Sequence, residues 1–231
     1  MLTLFAWPSS FLRPELMVKP MWQFAVTHRH EILVLTSEHL WLVGISMLLA
    51  IVIGVPLGIF LTRQPAWKGI VLGLNSVIQT IPGLALFGLL LPLPWFGARS
   101  DRLAITALTL YALLPIIQNT FVGISGVDPP VRDAATAMGL TGRQLLWQVE
   151  LPLAADVIVA GIRVSTVLTV GLATIAAAIG SGGLGEFIFR GLSMVDNRVI
   201  LVGAIPAAVM ALCANMVLGL IQRSLRRAHH S

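Results

Sequence analysis

Charged residues are scarce in this chain, and their scarcity sets its class. They make up 11% of the 231 residues, whereas hydrophobic residues make up 57% and the mean hydropathy is +0.90. A soluble globular chain carries roughly 25% charged residues. The composition therefore predicts a polytopic membrane protein. At about 20 apolar residues per membrane helix, five or six spans fill the chain and no separate soluble domain fits.

The sequence also lacks the patterns of catalysis and metal binding. Its single cysteine, Cys213, lies in an apolar run, and its five histidines form no recognisable metal pair apart from the adjacent His229 and His230. The motifs GxSxG, HExxH and GxxxxGK[ST] do not occur, and no carboxylate pair lies at membrane depth. We therefore expect no catalytic residue, metal site or cofactor in this chain, so that any energy source must be supplied by another chain. The net charge of +5 comes from scattered residues, which does not indicate nucleic-acid binding.

Hydrophobic runs predict an all-α fold with five transmembrane helices, at about 40–61, 70–91, 102–124, 153–179 and 199–221. Charges interrupt the apolar runs before the first span, which predicts an N-terminal interfacial helix over roughly 20–37. Gly54 and Gly58 have the spacing that lets a second helix approach closely. The predicted divisions are an N-terminal interfacial segment (1–38), a transmembrane domain (39–222) and a tail (223–231).

Polar side chains inside the spans are candidates for a translocation path. Such groups should face protein or water rather than lipid, and broken backbone at membrane depth usually borders a cavity. Two clusters lie in the second and third spans, each near a proline: Asn75, Gln79, Tyr111, Gln118 and Asn119. Interhelical hydrogen bonds that only hold the bundle together remain the alternative for each of them.

Two further features in the C-terminal half are polar or glycine-rich. Asp156 and Arg163 are seven residues apart in the fourth span, and we expect them near the membrane surface or paired with a neighbour, because an isolated buried charge is costly. The segment GSGGLG (180–185) has no lysine and no preceding strand, so it does not predict phosphate binding. We expect tight turns and close packing there, with a hinge near an outer gate as the alternative.

The loop between the third and fourth spans, residues 128–152, contains many residues that typically start or end helices. It predicts two short, sharply bounded helices, with Leu151-Pro152 opening the next apolar segment. The start and stop signals are Asp128 as an N-cap, Pro129 in the first turn, Gly139 at the end of the first helix, and Thr141 with Gln144 as a capping box.

The same loop carries a longer pattern. Asp133-Ala134-Ala135, three residues, Gly139, nine residues and Val149-Glu150-Leu151-Pro152 resemble the EAA loop of ABC importer permeases, with Asp133 for the usual Glu and Val149 for the usual Ile. Four longer segments resemble the permeases of osmoprotectant importers for glycine betaine, choline or carnitine: SVIQTIPGLALFGLLLP, LYALLPIIQNTFVGISGVDP, ELPLAADVIVAGIR and GLATIAAAIGSGGLGEFIFRGL. The likeness covers roughly residues 35–221, although Asp156 stands where a proline is common.

The resemblance implies a multi-pass protein of the bacterial cytoplasmic (inner) membrane with its N-terminus outside and its C-terminus in the cytoplasm. It implies as partners a second permease (identical or homologous), cytoplasmic ATPase subunits that bind ATP and Mg, and an extracytoplasmic substrate-binding protein. In that family the loop docks on the ATPase. The matching positions are Asp133, Ala134, Ala135 and Gly139 for the docking turn, with Leu151 and Pro152 where motion enters the fourth span. Apolar and small side chains of Ala134, Ala135, Ala137 and Met138 suit entry into a cleft.

Several alternatives stay open. Basic residues number seven on each side of the five-span topology, so charge does not decide the orientation. A quaternary ammonium substrate needs an aromatic cage, and the composition, with one Tyr, does not identify the substrate. An importer of the same type for an amino acid such as methionine is the nearest alternative, and an ion-coupled carrier or channel is one of a different class. The loop could also pack only against its own bundle.

Overall fold

A computed structural model describes residues 22–94 and 100–228, and this part of the chain is helical throughout, apart from turns. Residues 22–27 form a helical stretch that precedes the first long helix. Two other helical turns occur in this part of the chain: a π-helical turn, Leu146–Glu150, and a 3-10 turn, Ala177–Ile179. In chain order the helices are α1 (Arg29–Arg63), α2 (Pro65–Thr80), α3 (Gly83–Leu90), α4 (Ser100–Ser125), α5 (Pro129–Ala137), α6 (Gly142–Leu145), α7 (Leu151–Ala176), α8 (Gly185–Met194) and α9 (Asn197–Ala228).

Four helices of the described chain are long and apolar enough to cross a membrane. They are α1, α4, the continuous helix Gly142–Ile179 that contains α6 and α7, and α9. The pair α2 and α3 meets the same criteria only when taken together, and it is bent by 102°. The structure therefore supports an all-helical, multi-pass architecture with four spans, or five if the bent pair counts as one.

The predicted second span over 70–91 is not one helix but the bent pair α2 and α3. The helix stops after Thr80, and Ile81 is extended with φ −71° and ψ 127°. Pro82 explains the break, because a proline disfavours the helical conformation of the residue before it and has no N–H to donate. Gly83 then begins α3 in a new direction.

The later part of the predicted interfacial helix and the first span form one continuous helix, α1, which begins at Arg29 and runs past the predicted boundary at residue 38. No proline or glycine lies between Pro20 and Gly44, so nothing in the backbone stops it. Its two carboxylates in this stretch instead find partners on other elements: Glu31 pairs with Arg190 of α8 at 2.7 Å, and Glu38 accepts from the Gly183 N–H.

Helices α1, α4 and α7 form the centre of the bundle and approach one another at glycines. A Cβ atom on Gly58 would lie 2.6 Å from Cβ of Thr120 on α4, and Gly54 faces the same helix. A Cβ on Gly161 of α7 would lie 2.7 Å from the carbonyl oxygen of Pro115. The close approach predicted from Gly54 and Gly58 is confirmed.

Two ends of the bundle can be told apart. At one end α1 and α4 finish, α7 begins and the short helices α5 and α6 lie; we call this the loop end. The opposite end carries α8 and the glycine-rich segment 180–185.

Candidate functional site

The start signals predicted for the loop are present in the structure. Asp128 occupies the N-cap position of α5, although its side chain makes no capping hydrogen bond, and Pro129 lies in the first turn. The capping box is complete: the backbone N–H of Thr141 donates to Oε1 of Gln144 at 2.8 Å, and the Gln144 N–H donates to Oγ1 of Thr141 at 3.4 Å. Local sequence therefore fixes where both loop helices begin.

Gly139 ends α5 as predicted. Its φ is +87°, in the left-handed region that a glycine adopts without strain. The Leu140 N–H donates to the Ala135 carbonyl at 3.2 Å, and the Gly139 N–H donates to the Thr136 carbonyl at 2.9 Å. These two bonds are the Schellman arrangement, which satisfies carbonyls that the end of a helix would leave free. The turn between α5 and α6 is therefore fixed in shape.

The second loop helix is not sharply bounded, so that prediction is wrong. Helix α6 continues through the π-turn into α7, and the Leu151 N–H donates to the Leu146 carbonyl five residues back. Pro152 lacks an N–H and its ring crowds the carbonyl four residues earlier, which a wider turn relieves. The loop is thus joined to α7 by helix rather than by flexible chain.

The predicted docking residues differ in exposure. Asp133, Ala134 and Ala137 are exposed, and Met138 is 75% exposed. Ala135 is only 3% exposed, so it faces inward and its predicted place on the apolar surface is wrong. The accessible face of the loop therefore combines one carboxylate with small apolar groups and a methionine.

A buried charge cluster at the loop end was missed by the sequence analysis. The Glu150 carboxylate is 1% exposed and forms ion pairs with Arg63, through Oε2, and with Nε of Arg132, 3.0 Å from Oε1. Nη2 of Arg132 also donates to the carbonyl of Ile124. Glu150 fills a position that the EAA pattern leaves free. Its partner Arg63 lies 87 residues away in sequence, so the contact cannot be predicted from local residue spacing.

Two of the predicted path residues meet at the break between α2 and α3. Nε2 of Gln79 donates to the carbonyl of Tyr111 at 2.9 Å, and the Tyr111 hydroxyl donates to the carbonyl of Ile81. Ile81 is the residue at which helical hydrogen bonding stops, so α4 supplies a donor that the broken helix lacks. These bonds account for both side chains as supports of the bend.

The other predicted path residues do not join that cluster. Asn75 is 7% exposed, and its Oδ1 has no hydrogen-bond partner among the described residues. Nδ2 of Asn119 donates to the Pro115 carbonyl of its own helix at 2.8 Å, while Gln118 is exposed. A buried, unpaired amide oxygen is costly, which makes Asn75 the member of the set that local packing explains least.

The glycine-rich segment packs closely at the opposite end, as predicted. Gly180, Gly182 and Gly183 all have positive φ. The Gly183 N–H donates to Oε2 of Glu38 on α1 at 3.0 Å, and Oγ of Ser100 donates to the Gly180 carbonyl at 2.7 Å. The segment is therefore held by the starts of two long helices, while its role as a hinge stays a prediction.

Arg163 finds neutral partners on α9, which fits the expectation of a paired charge. Its Nε donates to Oδ1 of Asn215 at 2.6 Å, and its Nη1 donates to Oε1 of Gln222 at 3.5 Å. Together these groups line a cavity of about 440 Å³ between α7 and α9. Across the described residues, no group of three or more His, Cys, Asp or Glu side chains is placed to hold a metal ion.

Known proteins resemble this chain in sequence. Over 196 residues it is 43% identical to the carnitine transport permease protein OpuCB of Listeria monocytogenes, covering 85% of this chain and 88% of that protein. It is 40% identical over 206 residues to the choline transport system permease protein OpuBB of Bacillus subtilis (89% and 94% covered). Over 190 residues it is 42% identical to the osmoprotectant import permease protein OsmW of Salmonella typhimurium (81% and 88% covered).

Solved structures share the fold. A methionine ABC transporter, MetNI, in an inward-facing conformation matches with a TM-score of 0.75 at 21% identity, covering 84% of this chain and 95% of that chain. An amino acid ABC transporter with histidines matches with a TM-score of 0.67 at 20% identity (87% and 97% covered). The model of the family described as binding-protein-dependent transport system inner membrane component matches residues 54–229. The chain is therefore a multi-pass membrane protein of the binding-protein-dependent transport system inner membrane component family.

Proposed function

We propose that this chain is one permease of an ATP-driven importer for osmoprotectants, with glycine betaine, choline or carnitine as its substrate. The observation that carries the substrate class is the 40–43% identity, over at least four fifths of the chain, to permeases named for carnitine, choline and osmoprotectant transport. Its partners are a second permease, cytoplasmic ATPase subunits that bind ATP and Mg, and an extracytoplasmic substrate-binding protein.

The loop of residues 128–152 is the site at which the ATPase acts. Asp133, Ala134 and Gly139 form the docking turn, Ala135 supports it from inside, and motion enters α7 at Leu151 and Pro152. The rigid Schellman turn and the helical junction into α7 support this role, because a push on α5 and α6 then displaces α7 as a body. In this arrangement the loop end faces the cytoplasm and the N-terminus lies outside.

The translocation path is proposed to run beside the bend of α2 and α3. Asn75, with its unpaired oxygen, is the side chain most available to a passing substrate. Gln79 and Tyr111 hold the bend that shapes the path, and Gln118 and Asn119 are assigned to the same path nearer the loop end of α4. The quaternary ammonium group that these substrates share has no N–H to donate, and a substrate must bind weakly enough to leave the path, so neutral amides suit it.

Reconstitution tests the proposal. The chain would be co-expressed with its ATPase, second permease and binding protein, placed in proteoliposomes, and offered radiolabelled glycine betaine, choline, carnitine and methionine. We expect uptake of at least one of the three quaternary ammonium compounds, only with ATP present. Uptake driven by an ion gradient without ATP would contradict the proposal and favour a carrier.

An amino-acid importer is the second candidate, because the solved structures that share the fold include a methionine ABC transporter. At 21% identity that likeness shows the fold alone. ATP-dependent uptake of methionine, with none of the quaternary ammonium compounds, would select this candidate.

A further inference from the structure

We propose that Glu150 is a positioning residue, through which movement of α5 reaches the end of α1 and the start of α7. This inference rests on the proposed function, in which an ATPase acts on the loop. It concerns the cluster of Glu150, Arg63 and Arg132, which we call the loop-end cluster.

Burial of the Glu150 carboxylate makes the loop-end cluster depend on its two arginine partners. A carboxylate that is 1% exposed would be strongly unfavourable without a partner, and each of its two oxygens faces a guanidinium group. The arginines are partly accessible, with side-chain exposures of 46% for Arg63 and 28% for Arg132. The cluster therefore has its anion inside and its cations at the rim, and removing the anion leaves two positive charges facing each other.

The Glu150 carboxylate joins three elements, and Arg132 adds a contact with a fourth. Arg63 is the last residue of α1, Arg132 belongs to α5, and Glu150 is the last residue of the π-turn before α7. Arg132 also donates to the Ile124 carbonyl near the end of α4. Displacement of α5 therefore acts on three long helices at once.

The covalent route from α5 to α7 is longer than this contact. It passes through the turn at Gly139, the capping box of α6 and the π-turn, before it reaches Glu150. The side-chain route goes directly from Arg132 to Glu150, 18 positions later in the sequence, across 3.0 Å. Glycines of α1 lie directly against side chains of α4 where the two helices cross. Because of this close packing, α1 and α4 should move together when the cluster is displaced.

The test compares variants of the complete complex of permeases, ATPase and binding protein in proteoliposomes. Glu150→Gln keeps the size and an acceptor but removes the charge. We expect the complex to assemble, while stimulation of ATP hydrolysis by the loaded binding protein, and substrate imported per ATP, fall roughly fivefold or more, the scale of an ordinary coupling between sites. Asp196→Asn is the matched control: it removes another arginine-paired carboxylate, at the opposite end, and should change neither quantity.

A double-variant cycle separates transmission from mere support. If Arg63 acts through Glu150, the pair Arg63→Gln with Glu150→Gln loses no more stimulation than Glu150→Gln alone, because Glu150 is the one cluster partner of Arg63 among the described residues. Should Glu150→Gln fail to assemble, Arg63→Gln replaces it, because the Glu150–Arg132 pair then persists and partial loss of stimulation is expected. Unchanged coupling in the assembled variants, or losses that add in full in the double variant, would overturn the inference. Failure of the proposed function itself would show earlier, as an unvaried chain that neither binds an ATPase nor imports substrate.

Discussion

At the residue scale, Gly139 and Asn75 are constrained in different ways, one by its backbone conformation and the other by the lack of a hydrogen-bond partner. Gly139 has open space where a Cβ would stand but a φ of +87°, so its constraint is conformational rather than steric. Asn75 is in regular helix, but its buried oxygen has no partner in the described chain, so its constraint is chemical. A substitution at Gly139 therefore tests the backbone conformation, and a substitution at Asn75 tests the side-chain polarity.

Gly139→Val should weaken the loop, because a β-branched residue is strained at positive φ by about 1–3 kcal/mol. Gly139→Asn should be milder, since asparagine tolerates the left-handed region. Limited proteolysis of the loop and ATP-dependent uptake would be measured on both variants. Resistance to proteolysis and uptake should both be highest with glycine, lower with asparagine and lowest with valine. Equal behaviour of the two variants would show that the left-handed turn is not what the loop requires.

Asn75→Leu should lower uptake several-fold without lowering the yield or thermal stability of the complex, because the replaced oxygen has no hydrogen bond to lose. Gln79→Leu is the contrast, since it removes the bond to the Tyr111 carbonyl and should cost about 1 kcal/mol of stability. Thermal unfolding in detergent and initial uptake rates separate the two effects. Wild-type uptake by Asn75→Leu would remove Asn75 from the proposed path.

Residues whose partners are near in sequence could be placed from the sequence, and those with distant partners could not. Thr141 and Gln144 are three residues apart, so their reciprocal bonds follow from helix geometry. The pair of Arg63 and Glu150 depends on how α1 packs beside α7, which no local pattern encodes. The inward orientation of Ala135 likewise depends on what surrounds α5.

At the scale of helices, a proline does not always end the helix in which it lies. Pro82 breaks the second span, whereas Pro56, Pro115 and Pro206 lie inside continuous helices. Pro152 is passed by means of a π-turn. A proline in the sequence therefore does not by itself show where a helix ends, because neighbouring helices and widened turns compensate for the missing N–H.

Glycine contacts give the sharpest prediction at this scale. Gly58→Ala should destabilise the bundle by about 1–3 kcal/mol, because the new methyl group would lie 2.9 Å from the Ile117 carbonyl oxygen as well as 2.6 Å from Thr120. Gly44→Ala, on the same helix with no atom within 4 Å, is the matched control and should be neutral or slightly stabilising. Thermal unfolding of both variants measures the difference, and a Gly58→Ala protein as stable as the control would contradict the packing of α1 on α4.

At the scale of the whole molecule, the chain has a division of labour between its two ends. The loop end carries the exposed face of α5 proposed for docking, the buried cluster and the junction into α7. The opposite end carries the glycine-rich segment held by Glu38 and the short helix α8 tied to α1 by Arg190 and Glu31. The all-helical membrane class and the loop pattern followed from composition and spacing, whereas the bend of α2 and α3 and the charge cluster required the packed structure.

The central claim is that the loop end docks on an ATPase, and site-directed photo-cross-linking tests it most directly. In a Cys213→Ser background, Met138→Cys and Met194→Cys place one label at the loop end and one at the opposite end, at methionines that are 75% and 65% exposed. A benzophenone maleimide would be attached and the assembled complex irradiated with and without ATP. The account predicts an adduct with the ATPase subunit at position 138, in an amount that changes with ATP, and none at position 194. An assembled complex that gives no ATPase adduct at position 138, or gives it at position 194 instead, would contradict the account.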